Sequence, residues 1–124
     1  MINYQSIPEF EKDFKALAKR FKTLHEDFEI LKKFVLELYY LHGIDSKAFV
    51  PIKGFCQEKY ESNKIKKFTC KALKGNGAAS GLRVIFVWDK QTQTITFVEI
   101  YFKADQENEN KGRLKNFLKQ SYTQ

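Results

Sequence analysis

From Phe10 to Leu38 the apolar residues fall at alternating four- and three-residue steps: Phe10, Phe14, Leu17, Phe21, Leu24, Phe28, Leu31, Val35 and Leu38. That spacing keeps one face of a helix apolar. A capping-box pattern recurs in mid-run at Thr23-Leu-His-Glu26, so the run reads as two helices folded back as a hairpin rather than one long coiled-coil helix. The second helix is expected from about Leu24 to Leu41, with Gly43 as its C-terminal cap. A short strand, Ile2 to Ile7, precedes the first. Ser6 stands three residues before Glu9, and Pro8 suits an opening helical turn.

Beyond residue 60 the period changes to two. Lys64 to Leu73 alternates Phe68, Cys70 and Ala72 with Lys67, Thr69 and Lys71, the pattern of a half-buried strand. Leu82 to Trp88 is continuously apolar apart from Arg83, as in a central strand covered on both faces. Thr94 to Lys103 is expected to turn Val98, Ile100 and Phe102 one way and Glu99, Tyr101 and Lys103 the other. Asp89 to Gln93 forms the hairpin turn between these strands. Residues 44–62, with Pro51 and Gly54, lack a period and read as an ordered connector; Lys74 to Gly81 reads as a small-residue loop. An acidic stretch from Asp105 to Asn110 leads to a last helix marked by Arg113, Leu114, Phe117 and Leu118. The order is β-α-α-β-β-β-α, an α+β fold in which an N-terminal strand and a helical hairpin pack on an antiparallel sheet, in a single domain spanning 1–124.

Composition narrows the picture. With 124 residues, 43 % of them hydrophobic and 15 % aromatic, the chain can bury one core, and disorder is excluded. No apolar run approaches the roughly 18 residues that a membrane span needs, and no leader pattern opens the chain, so a soluble cytoplasmic protein is expected. Cys56 and Cys70 have no metal-ligand spacing and read as reduced thiols. His25 and His42, the two histidines, receive no chemical role. The loop at 74–81 lacks the lysine and hydroxyl order of a phosphate-binding P-loop. Charge is unevenly placed: residues 1–45 hold seven Lys/Arg against eight Asp/Glu, net −1, and residues 46–124 hold fifteen against seven, net +8. A polyanion or an acidic protein suits that half.

Arg83 is the residue that demands a reason. A charge set in an apolar strand needs a partner, either a carboxylate such as Glu99 or a cleft that receives an anion. A tight turn near Gln91 places Arg83 opposite Glu99 or Tyr101, so Lys67, Lys71, Arg83, Glu99, Tyr101 and Lys103 are expected to converge on one sheet face.

Four stretches then carry a likeness: Phe-Glu-Lys-Asp-Phe-Lys-Ala-Leu-Ala-Lys-Arg-Phe at 10–21, Lys-Ala-Leu-Lys-Gly at 71–75, Ser-Gly-Leu-Arg-Val-Ile-Phe at 80–86 and Phe-Val-Glu-Ile-Tyr-Phe-Lys-Ala-Asp-Gln-Glu-Asn at 97–108. In these the chain resembles the RelE/ParE superfamily of bacterial type II toxins. The resemblance implies a toxin neutralised by a cognate antitoxin. RelE-like members act as ribosome-dependent mRNA endoribonucleases; ParE-like members inhibit DNA gyrase; a non-catalytic member would only bind antitoxin. It implies no metal, no small-molecule cofactor and no membrane partner. Cleavage through a ribose 2′-hydroxyl needs a base, a cation for the phosphorane and an acid. By resemblance Arg83 is the phosphate-stabilising arginine; Lys71 and Lys103 bind backbone or move protons; Tyr101 stacks or orients. Lys67, Lys74 and Arg113 are RNA-binding candidates. No C-terminal histidine is present, and the tyrosine that RelE-like toxins carry near the C-terminus has no secure counterpart.

Overall fold

The computed structural model describes residues 1–73 and 80–122. Strand β1 (Asn3–Ser6) leads into α1 (Pro8–Arg20). The second helix, α2, starts as Leu24–Leu31, passes through a π-helical segment Lys32–Glu37 and ends as Leu38–His42. Strands β2 (Phe49–Cys56), β3 (Tyr60–Ile65), β4 (Leu82–Asp89) and β5 (Thr94–Phe102) follow, and α3 (Lys111–Ser121) closes the chain. The sheet order is β1-β5-β4-β3-β2; β1 runs parallel to β5, and the other pairs are antiparallel. The molecule is thus α+β, with a five-stranded mixed sheet.

The two-helix reading of the apolar run holds. Phe10, Phe14 and Leu17 of α1 and Leu24, Phe28 and Leu31 of α2 are buried. Phe97 of β5 meets Phe28 at 4.9 Å and Phe10 at 5.4 Å between ring centroids, an aromatic layer between helices and sheet. Gly43 ends α2 in the left-handed region at φ 68°, its amide donating to Tyr39 O while the next amide reaches Leu38 O. That double return of the backbone is what a residue without Cβ permits at a helix end.

The first expected capping box is not made. Ile7 occupies the N-cap of α1, and the Ser6 hydroxyl meets Glu11 instead of capping the helix. At the second helix the capping residues serve a tertiary purpose. Thr23 Oγ1 donates to Asp27 Oδ2 at 2.7 Å and accepts from the Ala72 amide, while Asp27, 3 % exposed, also accepts from the Lys71 amide at 2.9 Å.

That clasp explains the main correction to the strand assignment. The expected strand at 64–73 ends at Ile65. The amides of Lys66 and Lys67 both turn back to Ala48 O, and residues 70–73 form a turn held on the start of α2. Phe68 and Cys70 are buried, but from an irregular segment docked on the helical side of the core. The expected connector at 44–62 instead supplies β2 and the start of β3, making four successive antiparallel strands where three were expected. Its period was hidden because β2 is an edge strand burying only Ile52, with Pro51 within it and Gly54 at φ 89°, and its register shifts between Pro51 and Cys56. Proline and an irregular register are tolerated at such an edge.

Two cores result. The larger lies under α1 and α2. The smaller lies under α3, where Leu114 and Leu118 pack on Ile85, Val87, Val98 and Tyr101. Val98 was expected on the face of Ile100 and Phe102. A β-bulge puts it on the other: Ile85 pairs with Glu99, yet Phe86 pairs with Phe97, leaving Val98 as an extra residue. Its carbonyl is taken up by Arg113 Nη1 of α3 at 3.1 Å. Among the described residues, no helix is long and apolar enough to cross a membrane.

Candidate functional site

β3, β4 and β5 bring five of their residues to one cleft of about 230 Å³. Lys64 and Lys66 come from β3 and its exit, Arg83 from β4, Tyr101 and Lys103 from β5 and its exit; Glu107 and Asn108 close it from above. The geometry follows from register. Arg83 pairs with Tyr101, and Lys64 pairs with Ile85 two residues along, so the three side chains share the α3 side of the sheet.

Arg83 is half-buried. Its Nη1 donates to the carbonyls of Lys66 and Leu82, each at 3.2 Å. Among the described residues no carboxylate pairs with it. Glu99, the acid offered by the register, is committed elsewhere: it is 3 % exposed and accepts from Gln106 Nε2 at 2.7 Å and from the Asn110 amide at 2.8 Å. Of the five donors on a guanidinium, two carbonyl bonds from one nitrogen leave most of the fork unspent.

Tyr101 is 5 % exposed and packed in the smaller core. It has no free ring face for stacking on a base, which removes that part of its expected role. Burial pushes its phenol up to about 12, helped by the carboxylates of Glu109 and Glu99 and opposed by Arg83. At neutral pH it therefore keeps its proton, which it donates to the Glu109 carboxylate. Lys64 Nζ forms an ion pair with Glu109 at 2.7 Å, the two side chains 18 % and 6 % exposed. Burial works to raise the Glu109 carboxyl, but the Lys64 ammonium, a backbone amide and Lys111 bring it below its ordinary value.

The remaining candidates stand apart from the cleft. Lys71 lies on the helical side, exposed and paired with Glu26 at 2.8 Å. This follows from the loss of its strand, since the turn at 70–73 is carried to the start of α2. Lys67 is exposed at the same departure from β3 and does not line the cleft. Arg113 is tied through Nη1 to Asp13 of α1 at 2.6 Å and to Val98 O, a charge-paired side chain joining α1, α3 and the bulge. Lys74 lies outside the described residues. Lys64 and Lys66 were missed as site residues; the signal was their spacing of two, continuing the alternation of a strand that begins at Tyr60.

Cys56 and Cys70 are both free thiols, and among the described residues no group of three metal-ligating side chains converges. Compared with protein-family models, curated proteins and solved structures, the chain matches none.

Proposed function

We propose that this chain is the toxin of a type II toxin-antitoxin module and acts as a ribosome-dependent mRNA endoribonuclease that stops translation. The resemblance to RelE-like toxins supplies the reading, and one observation carries it: an arginine with no carboxylate partner among the described residues, set in a cleft lined also by three lysines, a buried tyrosine, Glu107 and Asn108.

The chemistry asked of the site is transesterification. A ribose 2′-hydroxyl gives up its proton to solvent as its oxygen bonds to the adjacent phosphorus, the bond from phosphorus to the 5′-oxygen breaks with a proton delivered to that oxygen, and a 2′,3′-cyclic phosphate and a 5′-hydroxyl remain. Negative charge builds on the non-bridging oxygens, where the unspent N–H groups of Arg83 are strongest. Lys66 and Lys103, both exposed, neutralise the flanking backbone. Tyr101, protonated far above neutral pH, is suited to give its proton to the departing 5′-oxygen and not to accept one from the 2′-hydroxyl. The antitoxin, in this reading, is an acidic protein segment that covers the same cations.

Induced expression of the parent chain, followed by primer extension on cellular messages, tests the proposal. Growth arrest with truncated messages is expected, and Arg83→Ala is expected to abolish both. Arrest by Arg83→Ala as strong as that of the parent would overturn the assignment; a DNA-damage response with intact messages would point to gyrase instead.

A further inference from the structure

The segment from Asp105 to Asn110 lies across the cleft and is held at both ends. Arg20 pairs with Asp105, and Glu99 holds Gln106 and the Asn110 amide. Between these ties the segment turns two carboxylates toward the cations: Glu107 lines the cleft and Glu109 takes Lys64. A carboxylate and a phosphate make the same demand on a lysine, an anionic oxygen within charge-assisted hydrogen-bond reach. Lys64 Nζ meets that demand at 2.7 Å in a nearly closed setting, adjoining the open donors of Arg83.

We propose that Lys64 is a second phosphate subsite, occupied in the free protein by the Glu109 carboxylate, so that a ligand with two neighbouring phosphates displaces the 105–110 strap while a single phosphate does not. This rests on the reading of the Arg83 cleft as a phosphate site and adds the number of phosphates and the means of closure. A strap closed nine-tenths of the time lowers apparent affinity about tenfold, because only the open fraction binds.

Calorimetric titration of the full chain at low ionic strength with inorganic tripolyphosphate and with orthophosphate tests it. Glu109→Gln is expected to bind tripolyphosphate about tenfold tighter than the parent and orthophosphate no tighter, and adding Lys64→Ala should erase the gain. Should Glu109→Gln fail to fold, two measurements still decide. Glu107→Gln, at an exposed position, should tighten tripolyphosphate binding to a smaller degree. Hydrogen exchange of the parent should speed up across residues 105–110 when tripolyphosphate is added.

Unchanged affinity in the variants, slower exchange in the strap, or no tripolyphosphate binding at all would overturn the inference. Strap release by tripolyphosphate without cleavage of messages in the cell would sink the nuclease reading alone. Cleaved messages with an unmoved strap would sink this inference alone.

Discussion

Two arginines stand beside β5, three residues apart along it, and their surroundings differ in kind. Around Arg113 the charge is met: one carboxylate from α1 and one carbonyl from the bulge, while its own amide helps to cap a helix N-terminus through Asn110 at 3.0 Å. Around Arg83 the charge is unmet, with two weakly placed carbonyls and, among the described residues, no acid. Burial does not separate them, since both are intermediate in exposure. Partner charge does. A guanidinium paired with a carboxylate belongs to the fold, and one left with carbonyls alone beside other cations is held at an electrostatic cost that a bound anion would relieve.

Four measurements can break or sharpen that contrast. The largest effect is expected from Arg83→Ala, which should lower RNA cleavage by about 10²- to 10³-fold, the range for removing a principal donor to developing charge. Its urea midpoint should stay near that of the parent, because no ion pair is lost. Arg113→Ala should do the reverse: about 2 kcal/mol of stability disappears with a part-buried charged hydrogen bond, seen as an earlier urea midpoint, while cleavage per folded molecule persists. If Arg113→Ala also abolished cleavage at full stability, the contrast would fail.

A smaller effect comes from pH. Burial, first among the causes, raises the phenols of Tyr4, Tyr40, Tyr101 and Tyr122 above their ordinary value of 10. The folded chain therefore keeps protons that the unfolded chain releases, so stability is full below pH 10 and falls as pH rises toward about 12, where Tyr101 titrates. Urea midpoints at pH 9, 10 and 11 should decline in that order. The smallest effect belongs to Lys71→Ala. Its ion pair with Glu26 is solvent-exposed, and neither cleavage nor unfolding should change measurably, since such pairs contribute little.

Much of the architecture was legible because periodicity reports burial. The helical hairpin and the last helix bury one regular face, the central strand is buried on both, the turn at Asp89–Gln93 is the exposed polar break between two buried strands, and each was found near its place. The edge strand β2 buries Ile52 alone and contains a proline, so no period betrayed it. Phe68 and Cys70 alternate as a strand would, although a side-chain clasp from Thr23 and Asp27 fixes them. The candidate site followed the same rule. Arg83, Tyr101 and Lys103 were legible from strand alternation. Lys71 was misplaced with its strand, and Glu109 was invisible, because its contact with Lys64 joins positions 45 apart through a segment that is neither helix nor strand.

The extra residue at Val98 has a bearing on descent. Its carbonyl, freed from the strand ladder, is one of the two groups that hold Arg113, so the bulge and the arginine support each other. A lineage that lost a residue there would heal the ladder and leave the arginine half-satisfied, inviting its replacement. Shortening of the fifth strand by one position and disappearance of that arginine should therefore be inherited together.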